Sequence, residues 1–122
     1  MREIDVKLLT SNIKEMCIEA THYLTPDMKK ALEDAKNTEA SPLGKQILEL
    51  AGKEMIPICQ DTGMAVVFLE IGQDVHFVGG DLNEAVHEGV RRGYVDGFLR
   101  KSVVGDPLLR VNTKDNTPAI IH

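Results

Sequence analysis

Cys59-Gln60-Asp61-Thr62-Gly63 sets a thiol, an amide, a carboxylate, a hydroxyl and a glycine side by side, just after Pro57 and just before the apolar run Met64-Ala65-Val66-Val67-Phe68-Leu69. A soft sulfur ligand followed at once by polar groups, on a stretch that a buried strand can hold still, suits a metal-assisted reaction. The same residues have plainer readings. Cys59 could pack as a small core residue, and Asp61 and Thr62 could satisfy the amides of a turn whose positive φ Gly63 relieves. A thiol nucleophile at Cys59 is a further reading, and it needs a nearby base and a lowered thiol pKa.

The second polar concentration lies beyond Phe98. Leu99-Arg100-Lys101-Ser102-Val103-Val104-Gly105-Asp106-Pro107 and Asn112-Thr113-Lys114-Asp115-Asn116-Thr117-Pro118 are dense in polar and turn-forming residues and follow no clean period. Loops of this kind carry function more often than they carry the core. Arg100 and Lys101 also read as a solvated basic pair at a helix end, where cations meet the dipole favourably. His22, His76, His87 and His122 each have a plainer reading first, His76 and His87 have no partner at ligand spacing, and a histidine base stays open but without support.

These residues need a frame. Val6, Leu9, Ile13, Met16, Cys17, Ala20 and Leu24 recur at helical spacing and predict a helix from about Asp5 to Tyr23. Thr25-Pro26 and Ser41-Pro42 each put a capping hydroxyl before a proline at the first helical position and start two more helices. Met28, Ala31, Leu32 and Ala35 form the expected inner face of the first, and Leu43, Ile47, Leu50 and Ala51 that of the second. Asn37 to Ala40 connects them. Met64 to Ile71 reads as a strand covered on both faces, Gly72-Gln73-Asp74 as a turn, and Val75 to Val78 as a shorter strand, together a hairpin. Asp81 with Glu84 matches a capping box, so a helix is expected from Leu82 to about Asp96, with Gly97 ending it. The fold class is α+β: N-terminal helices packed on a small sheet, then a longer helix and an irregular C-terminal segment.

A chain of 122 residues at 43% hydrophobic is long enough for one modest core, so residues 1–122 are expected to form a single domain. A net charge of −5 without a dense run of Lys or Arg leaves no footprint for nucleic acid or an anionic membrane. No apolar stretch reaches bilayer length, no apolar signal region opens the chain, and two cysteines fit a reducing, cytoplasmic setting. Cys17, on the helical stripe, reads as a core residue.

The Cys59–Gly63 motif, Leu99–Val104, Asp106-Pro107-Leu108 and Asn112–His122, in this order, resemble the alpha subunit of the iron-sulfur-dependent hydro-lyases, the family of the class I fumarate hydratases and the L(+)-tartrate dehydratases. The resemblance implies a dehydratase built round a 4Fe-4S cluster held by three cysteines, with one iron left open to activate a substrate hydroxyl. It implies a cluster ligand at Cys59 and substrate-orienting groups at Gln60 and Asp61. It implies a carboxylate clamp at Arg100, with Lys101 and Ser102 adding charge and a hydroxyl. The expected substrate is a small dicarboxylate, fumarate or malate first and L(+)-tartrate as the alternative.

The family pattern is longer than this chain and supplies all three cluster cysteines, whereas here only Cys59 sits in a matching motif. The chain is therefore expected to be part of a larger enzyme, completed by further cysteines and by a beta subunit or C-terminal domain that brings the base. Isolated, it is expected to be inactive and free of iron. A noncatalytic assembly module of the same fold is the reading of another class; intact Gln60, Asp61 and Arg100 argue against it.

Overall fold

The computed structural model describes residues 1–36, 42–46, 54 and 61–122. Two short parallel sheets and three helices organise them: β1 (Arg2–Asp5), α1 (Val6–His22), α2 (Pro26–Lys36), β2 (Val66–Val67), β3 (Val75–Val78), α3 (Leu82–Asp96) and β4 (Ile120–Ile121). This is the α+β architecture expected. The expected hairpin is corrected: β3 pairs in parallel with β1, Arg2 opposite Val75 through Asp5 opposite Val78, and β2 pairs in parallel with β4, Val66 opposite Ile120. The turn at 73–74 exists, but the strands it joins belong to different sheets. Parallel pairs need a long crossover, and α1 and α3 lie within the crossovers of the two pairs.

Helix α1 begins where the sequence places it. The Asp5 carboxylate accepts the Lys7 amide at 2.8 Å, and the helix ends with Tyr23 as C-cap. Its inner face is Val6, Thr10, Ile13 and, half-buried, Leu9 and Cys17. Met16 and Ala20, placed on that face by periodicity, are exposed. So are Met28 and Ala31 of α2 and Leu43 in the helical stretch 42–46. Ile47, Leu50 and Ala51 lie outside the described residues, as do the side chains of Leu32 and Ala35. Of the expected three-helix layer, α1 is the member that packs into the described core.

Helix α3 is its partner. The Asp81 carboxylate accepts the Glu84 amide at 3.0 Å, as the capping pattern requires. Ile13, Val86, Val90, Tyr94, Leu99 and Ala119 form the buried core, with Ala65, Val67, Leu69 and Ile121 packed against it from the β2–β4 sheet. Pairing continues past the two-residue strands, since Leu69 donates to His122 and Ile120 to Ala65. One face of this sheet meets the helices. The other carries Met64, Val66, Phe68 and Ile120 to solvent in this chain, so the expectation of a strand covered on both faces is corrected.

Helix α3 ends at Gly97 as expected, though not through a left-handed backbone at the glycine. Gly97 is the C-cap at φ −82, while the left-handed residue is Phe98 at φ 55. The Phe98 amide donates to Val95 and the Leu99 amide to Tyr94, which is a Schellman closure. Gly97 is needed for space instead: a Cβ there would lie 2.7 Å from the Gly93 carbonyl oxygen. The closure drives Leu99 into the core at 2% exposure and so fixes where Arg100 emerges. Phe98 is itself exposed and strained, so Phe98→Gly is expected to stabilise the chain by about 1 kcal/mol, read as a higher thermal midpoint. A lower midpoint would mean that the exposed ring makes a contact worth more than the strain.

Candidate functional site

The Asp61-Thr62-Gly63 segment and the Arg100–Val103 segment, far apart in sequence, are bonded to each other. The Thr62 hydroxyl donates to the Arg100 carbonyl at 2.8 Å. The Tyr94 hydroxyl, reaching from α3, donates to the Thr62 carbonyl at 3.0 Å. Asn116 completes the link: its Oδ1 accepts the amides of Ser102 and Val103 at 2.6 and 3.0 Å, and its Nδ2 donates to the Gly63 carbonyl at 2.9 Å. Gly63 sits at φ +59 with open space around its missing Cβ, so backbone conformation and not crowding selects glycine here. Gly63 has the positive φ expected of it, but residues 61–65 form no regular turn, and the Thr62 hydroxyl bonds the distant Arg100 carbonyl in place of a local amide.

The loop from Asn112 to Thr117 supports the Arg100–Val103 segment. Asn112 Nδ2 donates to the Lys101 carbonyl at 2.8 Å, and Val104 bridges Asn112 in antiparallel fashion. Asp115 ties this loop to α3. It accepts from Arg91 Nε at 3.0 Å and from the Thr117 hydroxyl and amide. Burial pushes the Asp115 carboxyl up, but the Thr117 bonds and the Arg91 guanidinium outweigh it and hold the pKa at about 2. Arg91 also pairs with Glu88. His87 accepts the Ala119 amide through Nδ1 at 3.2 Å, a structural use rather than that of a free base.

Of the residues singled out by sequence, Asp61 and Arg100 are both exposed, and Lys101 is half-buried. Their backbones meet through Thr62 and Asn116, and the two motifs occupy one side of the Tyr94 end of α3. Cys59 and Gln60 lie outside the described residues. Tyr94, Asn112, Asp115 and Asn116 were not given roles by sequence reasoning. The one available signal was conformational, since Asn tolerates a left-handed backbone and Asn116 lies at φ 63.

A 4Fe-4S cluster with three protein ligands needs three thiolates, and the chain has two cysteines. Cys17 does not fit the role. It packs against α3, where a Cβ on Gly93 would lie 2.7 Å from its own Cβ, and burial pushes its thiol pKa up, away from the thiolate that iron requires. Among the described residues no group of three His, Cys, Asp or Glu side chains is gathered to hold a metal. By itself this chain offers a cluster the single thiol of Cys59.

Two polar segments distant in sequence are thus tied together by Thr62 and Asn116, with the side chains of Asp61 and Arg100 exposed. The family model for fumarate hydratase (Fumerase) matches residues 10–122, and the chain belongs to that family. It is 37% identical over 112 residues to the putative L(+)-tartrate dehydratase subunit alpha of Methanocaldococcus jannaschii, an alignment covering 85% of this chain and 39% of that protein. It is 32% identical over 129 residues to the anaerobic class I fumarate hydratase of Escherichia coli, covering 98% of this chain and 23% of that protein. The aerobic class I enzyme of the same strain is 32% identical over 123 residues, covering 93% and 22%. The chain thus spans about two-fifths of the first of these relatives and under a quarter of the others. No described helix is long and apolar enough to cross a membrane.

Proposed function

We propose that this chain is one part of a hydro-lyase that reversibly adds water to a small dicarboxylate, with fumarate and malate as the substrate pair. In dehydration the C–H proton leaves to a base, the C–O bond breaks as the C=C bond forms, and the hydroxide takes up a proton to depart as water. Arg100 holds a substrate carboxylate through paired N–H donors, with Lys101 adding charge beside it. Asp61 and Gln60 orient the reacting end by hydrogen bonding. Cys59 is one of three thiolate ligands of a 4Fe-4S cluster; the other two cysteines, like the base, come from the rest of the enzyme, as a beta subunit or C-terminal domain. When bound, the cluster supplies a Lewis-acidic iron for the departing hydroxyl. Residues 1–122 act as a single domain of this assembly, in the cytoplasm.

The observation that carries the reading is the bonding of the Asp61–Gly63 segment to the Arg100–Val103 segment through Thr62 and Asn116. A chance pair of surface loops has no reason to be so tied. L(+)-tartrate is the second substrate reading, favoured by the name of the 37% identical relative. Anaerobic assay of the complete enzyme against malate and tartrate separates the two. Cys59→Ser in that enzyme is expected to lose iron and turnover together. Full iron content and full turnover in the serine variant would overturn the assignment of Cys59.

A further inference from the structure

Asn116 contributes nothing to the surface, being 0% exposed, and its amide bonds join the two segments of the candidate site. An Asn side chain has two donors and two acceptor lone pairs, and three of the four are used here on backbone groups of two different segments. Asp could accept the Ser102 and Val103 amides but would set a carboxylate oxygen against the Gly63 carbonyl. Thr62 and Asn112 each make a single bond to this segment, at the Arg100 and Lys101 carbonyls, while Tyr94 holds Thr62 through its hydroxyl and the Leu99 amide through its own carbonyl. Asn116 adds three bonds that hold both segments at once.

We propose that Asn116 is a positioning residue for carboxylate binding: its amide fixes the Arg100 segment against the Asp61 segment, so that guanidinium and carboxylate present one preformed face to a dicarboxylate. This rests on the reading of Arg100 as a clamp. Because Tyr94 still anchors Thr62 and the core still anchors Leu99, loss of these bonds misplaces Arg100 without dismantling the fold.

The test is a double-variant cycle in the complete enzyme. Asn116→Gly keeps a backbone at home at φ 63 and deletes the side chain with its amide. It is expected to raise KM for the dicarboxylate about tenfold, as misplacement of a clamp does, with iron content unchanged. Arg100→Lys is expected to raise KM as well, and the double variant to stay within about twofold of Arg100→Lys alone, since a positioned group that is already impaired has little left to lose. A KM within about twofold of the parent for Asn116→Gly, or losses that multiply in the double variant, would overturn the inference. Should Arg100→Lys leave KM unmoved, the clamp reading falls and the inference with it, whereas an effect of Arg100→Lys beside a silent Asn116→Gly removes the inference alone. If Asn116→Gly does not fold, Asn116→Asp replaces it in the cycle, since Asp tolerates the same backbone and keeps both acceptor bonds while losing the bond to Gly63. A raised KM that does not multiply with Arg100→Lys then supports the inference, and an unchanged KM or multiplying losses overturn it.

Discussion

Gly89→Leu is expected to lower the thermal midpoint of the chain by on the order of 15 °C. A Cβ at Gly89 would lie 2.8 Å from the Cβ of Ile13 and 2.9 Å from the carbonyl oxygen of Thr10. Neither neighbour can rotate away, because one is the root of a side chain and the other is backbone. Helix propensity works in the opposite direction, since replacing glycine within a helix gains roughly 1 kcal/mol. Overpacking at such a contact costs about 1–3 kcal/mol even for small additions, and a leucine adds three more carbons. Separation of the helices also breaks the bond from the Thr10 hydroxyl to the Ala85 carbonyl at 3.0 Å, leaving polar groups in the core unpaired. Gly72→Ala is the control. Nothing lies within 4 Å of its missing Cβ, so its midpoint should stay within a few degrees of the parent. Comparable midpoints for Gly89→Leu and Gly72→Ala would mean that α1 and α3 do not pack as closely as the structure has them.

The close helix contact illustrates what sequence could and could not supply. Local signals served well: Asp81 and Thr25-Pro26 each mark a helix start, because the signal lies within a few residues of the amides it leaves or satisfies, whereas the Asp5 cap of α1 was not read as one. Gly89, Gly93 and Gly97 fall at helical spacing on one side of α3, yet in the sequence they are only weak helix formers; their purpose is visible once α1 lies across them. Strand β1 was hidden for a related reason. Arg2–Asp5 pairs with residues more than seventy positions away, and a parallel partner leaves no local mark. Gly72-Gln73-Asp74 did leave one, and it misled, since turn chemistry reports a reversal of the chain without naming which strands pair. At the site, resemblance drew attention to Asp61 and Arg100, whose exposed charges are distinctive. Asn116 looked like one more loop residue, although its buried amide is what joins the two motifs.

Arg100→Ala in the complete enzyme is expected to reduce kcat/KM by roughly two orders of magnitude, the equivalent of about 3 kcal/mol in transition-state binding. Arg91 and Arg92 are committed to Glu88 and Asp115, whereas among the described residues no carboxylate lies within ion-pair distance of Arg100. The residue is rigid at its root, with its carbonyl held by Thr62, the next carbonyl held by Asn112, the Ser102 and Val103 amides held by Asn116 and the preceding Leu99 buried in the core. A guanidinium on a fixed base loses little freedom when it grips an anion, so its donors act at nearly full strength. Lysine at this position keeps the charge but not the paired donors, and Arg100→Lys should fall between the parent and Arg100→Ala. Lys101→Ala should cost less than tenfold, because an ammonium beside the clamp contributes field without fixing orientation. Steady-state hydration and dehydration rates on the three variants check the order. A loss below about threefold for Arg100→Ala would show that the substrate carboxylate is held elsewhere in the enzyme, and that the two bonded segments serve the fold alone.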